Sequence, residues 1–268
     1  MRLGSRALSS LAVLALPLAA QWVNYPTAGV PRLSNGKPDL AAPAPRAADG
    51  HTDLSGLWGA EVNVPCPPDG CADLPLNRQF LDIGSRIEGG LPFQPWADAI
   101  HSQRSADNDK DAPSTHCLPY SNIQMHTTPL YRKILQVPGI LAILNEHDAF
   151  YRQIYTDGRP LPADPQPSWR GYSSGAWEGN TLVVQTVGFR DGQWLDMGGS
   201  PLTDAAKITE RFRRPDFGHL EIEITVDDPK AYTKPWTTKL NQVIVLNTEL
   251  LDYICAENEK DLPHLVGR

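Results

Sequence analysis

Apolar and polar residues alternate along most of the second half of the chain, in short runs broken by Gly, Pro, Asn and Asp. The clearest run is His219 to Val226. There Leu220, Ile222, Ile224 and Val226 alternate with Glu221, Glu223 and Thr225, the period of a half-buried strand. Ala205 to Arg213 precedes it across Arg214-Pro-Asp-Phe-Gly218, so the two segments read as neighbours in a sheet. In the earlier segment Ala206, Ile208 and Phe212 put Glu210 on the apolar face. A carboxylate on that face has to be paired or sit in a polar pocket, which makes Glu210 the most informative acid in the chain.

The same pattern gives strands over Tyr131–Val137 and Ile140–Asn145 around Pro138-Gly139, over Phe150–Tyr155, over Trp236–Leu246 and over Glu249–Cys255. Between them lies Gly171-Tyr-Ser-Ser-Gly-Ala-Trp-Glu-Gly-Asn-Thr-Leu-Val-Val, two strands joined at Glu178-Gly179-Asn180. Asp53-Leu-Ser-Gly-Leu-Trp-Gly opens the ordered region. Its Gly-x-Trp is the kind of start seen in lipocalin-like barrels, where the indole closes the base. One segment has helix formers and no internal Gly or Pro, and it predicts a helix over Pro95–Asp107. No repeated helical crossovers occur, which disfavours a parallel sheet. The expected fold is mainly β, an antiparallel lipocalin-like barrel with one short helix; a two-sheet sandwich is the alternative.

The remaining segments set the domain organisation. Arg2 and Arg6, followed by the apolar stretch Ala7–Ala20, read as a signal peptide over residues 1–20. Residues 21–53, rich in Pro and Ala, are expected to form an extended arm, and 54–268 a single domain. Export to the periplasm or the medium follows, with no membrane span in the mature chain. A net charge of -7 argues against nucleic acid as a partner. Four cysteines in an exported chain favour disulfides, and Cys66–Cys71 with Cys117–Cys255 is the pairing expected among the three possible.

No nucleophile elbow, phosphate loop, zinc-protease helix or dinucleotide fingerprint is present, so candidate chemistry rests on clusters. Arg152 lies in an otherwise apolar strand and suits a carboxylate or oxyanion, or an ion pair with Glu210 or Asp157. His147 is a candidate general base and Asp196 a candidate acid, or else both are turn residues. Tyr155, Tyr172, Trp177 and Trp194 supply aromatic surface for a ligand. No cofactor and no metal are expected, because no redox-cofactor signature and no His pair at ligand spacing occurs.

Four strings carry a resemblance: Arg152-Gln-Ile-Tyr-Thr-Asp-Gly-Arg-Pro-Leu-Pro, the Gly171–Val184 stretch, Glu210-Arg-Phe, and Asp228-Pro-Lys-Ala-Tyr-Thr-Lys-Pro-Trp. Across nearly the whole mature chain the sequence resembles a large group of exported, functionally uncharacterised bacterial proteins, with a more distant lipocalin (calycin) look. The resemblance implies a lipocalin-like barrel and carries Arg152, Asp157, Trp177, Asp196 and Glu210 over as site candidates. That group often has Pro-His-Ser or Pro-His-Thr where this chain has Pro201-Leu202-Thr203, so any chemistry of that histidine is not expected here.

Three functions remain open. The first is a small-molecule enzyme of hydrolase or lyase type, in which Glu210, His147 or Asp196 moves protons while Arg152 holds an anion. The second is a binding protein for an apolar or aromatic ligand. The third is a structural or interaction module. A small-molecule ligand or substrate is the expected partner for the first two; the oligomeric state is not fixed by the sequence.

Overall fold

The structure is a computed structural model that describes residues 25–63, 77–147, 150–255 and 257. The expected signal peptide, Cys66 and Cys71 lie outside the described residues. Among those described, nine strands close into one barrel. In chain order the strands are β1 (Gly56–Ala60), β2 (Arg132–Val137), β3 (Ile140–Asn145), β4 (Tyr151–Tyr155), β5 (Tyr172–Glu178), β6 (Thr181–Val187), β7 (Gln193–Trp194), β8 (Pro201–Leu202), β9 (Lys207–Arg213), β10 (His219–Asp227) and β11 (Trp236–Ile244). The barrel order is β1-β11-β10-β9-β6-β5-β4-β3-β2, and β7 with β8 forms a separate ribbon.

The alternation read from the sequence sets which side chains face inward. On β10, Leu220, Ile222, Ile224 and Val226 are buried, as are Ile208, Glu210 and Phe212 on β9. Burying such aliphatic and aromatic side chains drives closure at about 1.5–3 kcal/mol each. The β5–β6 turn is tight because Gly179 adopts φ +60°, open to glycine at little cost.

The sheet and the C-terminal segment depart from the sequence reading. The barrel is not wholly antiparallel, since β4 and β5 run parallel and share only Ile154↔Ser173 and Tyr155↔Ser174. The chain leaves β4, travels through the proline-rich residues 156–171, and re-enters the sheet in the same direction. Glu249–Cys255 is extended chain and not a strand. It is tied down by Lys133–Glu249, by the Leu251 amide donating to Glu146, and by the Cys117–Cys255 disulfide, whose Cα atoms are 5.5 Å apart.

The barrel base is closed by Trp58. Its Nε1 donates to the Leu54 carbonyl at 3.1 Å, and the Arg214 guanidinium lies 5.0 Å from the ring centre. Arg214 also donates to the carbonyls of Asp53, Ser55 and Phe217, so one side chain ties the chain before β1 to the turn after β9. This closed barrel is compatible with a calycin-like architecture. Within residues 25–53, Pro43 bridges to Asp216 in the turn after β9. Among the described residues there are three helices where one was expected: α1 (Arg78–Leu81), the expected α2 (Pro95–Ala106) and α3 (Gln124–Thr127), with two 3-10 turns at Ile83–Arg86 and Pro113–His116. Pro95 opens α2 at a position where a helix needs no amide donor.

Candidate functional site

Opposite the Trp58 base, the barrel interior turns polar. Arg152 of β4 and Glu210 of β9 point inward from strands separated by β5 and β6, and meet in the middle. Arg152 Nη1 donates to Glu210 Oε1 at 2.9 Å, Nη2 donates to Oε2, and both groups are fully buried. The same guanidinium donates to Thr186 Oγ1 at 2.9 Å and Ser173 Oγ at 3.1 Å, while those hydroxyls lie 2.9 Å from each other. Arg152 therefore cross-links β4, β5, β6 and β9 at the seam where the parallel pair supplies little ladder.

The third member is His126, on α3, which no alternating pattern marks in the sequence. The segment Ser121–Thr128 is buried at every position and closes this end of the barrel. His126 Nε2 lies 3.1 Å from Glu210 Oε1. An ionised carboxylate only accepts, so Nε2 carries the proton and Nδ1 is left as an acceptor. The His126 carbonyl is gripped by Arg132 of β2 and by Gln242 Nε2 of β11 at 2.6 Å.

The electrostatics fix the protonation states. Burial pushes Glu210 upward, but the charge of Arg152, then hydrogen bonds from His126 and Arg152, bring its carboxyl down to about 2. Burial outweighs the Glu210 hydrogen bond at His126 and lowers its pKa, so the imidazole is neutral at pH 7. Asp196 is also buried and pushed up by desolvation. Its oxygens accept from the Ile83 amide at 2.9 Å, the Ser200 amide at 3.0 Å and the Ser200 hydroxyl at 2.7 Å, which organises the turn between β7 and β8.

The other predicted site residues do not join this cluster. Trp177 stacks on His51 of the arm, with centroids 4.7 Å apart. Trp194 is buried beneath Arg104 of α2, at 4.5 Å. His147 stacks on Tyr120 at 4.1 Å and lies 5.2 Å from Tyr253. Asp157 is an exposed partner of Arg159, whose guanidinium covers Tyr155 at 3.8 Å. Leu202 is fully buried on β8.

Tyr172 leads to a different feature. Beside it Gly188 has φ +77°, and a Cβ there would fall 2.7 Å from Pro165 Cγ and 3.0 Å from Tyr172 Cδ2. Only glycine permits that approach, and it seats the loop 161–167 beside the barrel. Between the loop and the outer face of β6, β9 and β10 runs a groove of about 860 Å³. Leu161, Pro162, Pro165 and Pro167 form one side; Gln185, Val187, Lys207, Thr209, Thr225 and Asp227 form the floor. Its volume lies within the range of small-molecule clefts, and one wall is apolar. Proline in this loop and exposed polar residues on the floor were legible in the sequence, but their juxtaposition was not.

Among the described residues no group of three His, Cys, Asp or Glu side chains is placed to hold a metal, and no helix is long and apolar enough to cross a membrane. Comparison with family models, with curated proteins and with solved structures finds no match.

Proposed function

We propose that this chain is an exported small-molecule-binding protein, whose ligand lies in the groove between residues 161–167 and the outer face of β6, β9 and β10. One observation carries the reading. The groove is lined by Leu161, Pro162, Pro165, Pro167 and Val187 on one hand, and by the polar side chains of Gln185, Lys207, Thr209, Thr225 and Asp227 on the other. The titratable groups of the interior have little freedom to move protons. Glu210, held at about 2, is a weak base, and Arg152, His126 and Glu210 are each almost wholly buried. Export is supported by the Cys117–Cys255 disulfide, since such bonds persist in oxidising compartments.

The ligand class that fits is a compact molecule with an apolar face for the prolines and hydroxyl or amide groups for Gln185, Thr209 and Thr225. Thermal melts of the mature protein against phenolics, fatty acids and sugars test this. A hit is expected to raise the melting temperature of the wild type and to leave Gln185→Trp unmoved, because the indole fills the groove from an exposed position. A hit that stabilises both proteins equally would place its site elsewhere.

The acid–base enzyme is the second reading, favoured by the His126–Glu210 contact in the polar end of the barrel. In that reading Glu210 is the proton-transferring group and Arg152 the anion holder, with His126 taking the place expected for His147. Turnover detected by mass spectrometry with any hit, and lost in Glu210→Gln while the fold is retained, would favour it. Turnover unchanged in that variant removes Glu210 from the chemistry.

A further inference from the structure

We infer that the polar end of the barrel holds a monovalent anion of halide size between Arg132 and Asn145. The two residues are direct partners across β2 and β3, and both side chains are buried in the interior, on the faces that also carry Ile134 and Ile143. Arg132 uses Nη1 on the His126 carbonyl and Gln242 Oε1, and Nη2 on the carbonyls of Thr128 and Leu130. All four acceptors are neutral. Among the described residues the Arg132 Nε–H has no acceptor, and neither polar atom of the Asn145 amide has a partner.

Buried donors without acceptors are rare in folded proteins, and here one belongs to the Arg132 guanidinium and another to its direct cross-strand partner. The charge of Arg132 is also poorly met. Glu146 is the carboxylate whose field reaches it, but that side chain accepts from the Tyr131 and Leu251 amides. Arg152, by contrast, holds Glu210 with two nitrogens. Burial accordingly brings Arg132 down to about 9.

An anion between the two side chains accepts from Arg132 Nε and Asn145 Nδ2, and sets its charge against the guanidinium. A water molecule would meet the hydrogen bonds and leave the charge as it is. His126 Nδ1 is another unpartnered atom at this end. As the acceptor of a neutral ring it does not hold an anion.

Crystals of the full mature chain grown in bromide test this by anomalous scattering. The expected result is a bromide peak in contact with Arg132 Nε and Asn145 Nδ2. A water at that point, or bromide only at surface cations, overturns the assignment. In parallel, melts in sodium chloride and sodium gluconate at equal ionic strength should differ. Chloride is expected to give a saturable rise of roughly 3 °C at about ten times its Kd, abolished in Asn145→Leu. An identical chloride response in that variant overturns the proposal; if Asn145→Leu does not fold, the bromide peak decides.

Discussion

Replacing Glu210 with Gln tests the polar end of the barrel most sharply. The amide is nearly the same size, so packing is kept, but the charge that compensates Arg152 is gone. One amide –NH2 also replaces an oxygen that accepts from Arg152 or His126. The magnitude follows from the carboxyl. Its pKa falls from 4.5 to about 2, a gap of about 2.5, and at about 1.36 kcal/mol per unit the charged form is favoured by roughly 3 kcal/mol. Removing one partner of a buried pair costs about 3–5 kcal/mol, which agrees. For a domain of this size that is a fall of about 6–12 °C in melting temperature. Urea titration with the disulfide intact should show the midpoint moving while the slope is kept. The double variant Arg152→Met/Glu210→Met should recover most of the loss, because two apolar side chains leave no orphaned charge. A loss under about 1 kcal/mol in Glu210→Gln, or no recovery in the double variant, would refute the idea that this pair staples the β4–β5 seam.

Three further outcomes are expected. His126 has a lowered pKa when folded, so stability is complete above the unfolded value of about 6.5 and declines as pH falls below it; His126→Gln should flatten the melting temperature between pH 7 and 5. Glu210 shifts the same way, so its own contribution is lost only as pH falls from about 4.5 toward 2, a window separate from that of His126. Reducing Cys117–Cys255, which closes a separation of 138 residues, should cost about 2–4 kcal/mol in the same urea titration, against little change in a Cys117→Ser/Cys255→Ser protein on adding reductant.

The parts of the fold that were legible in the sequence are those where burial follows a period of two. β10 could be read because its polar residues face water and its aliphatic ones the core. Glu210 stood out because it breaks that rule on β9, and Arg152 does the same on β4. An ion pair between them was one of the options the sequence left open, and it is the one realised. The parts that were not legible depend on contacts distant in the chain. Ser121–Thr128 has no period because every side chain in it is buried, at the end of a barrel whose strands all come from elsewhere. Arg132 and Asn145 sit at strand ends, where alternation has too few residues to show. The parallel β4–β5 pair depends on the path of residues 156–171, which local propensity does not encode. Trp177 and Trp194 looked like ligand surface and are packed instead against His51 and Arg104, because a large ring is as good a partner for a loop as for a ligand.

The groove is the centre of the functional account, and amide chemical shifts of the isotopically labelled protein test it directly. On titration with a compound that raises the melting temperature, the account predicts saturable shifts confined to the groove, at Ala163, Gln185, Val187, Lys207 and Thr209. Shifts that leave those amides unmoved and appear around Ser173, Glu210 and His126 would contradict it and place the ligand inside the barrel.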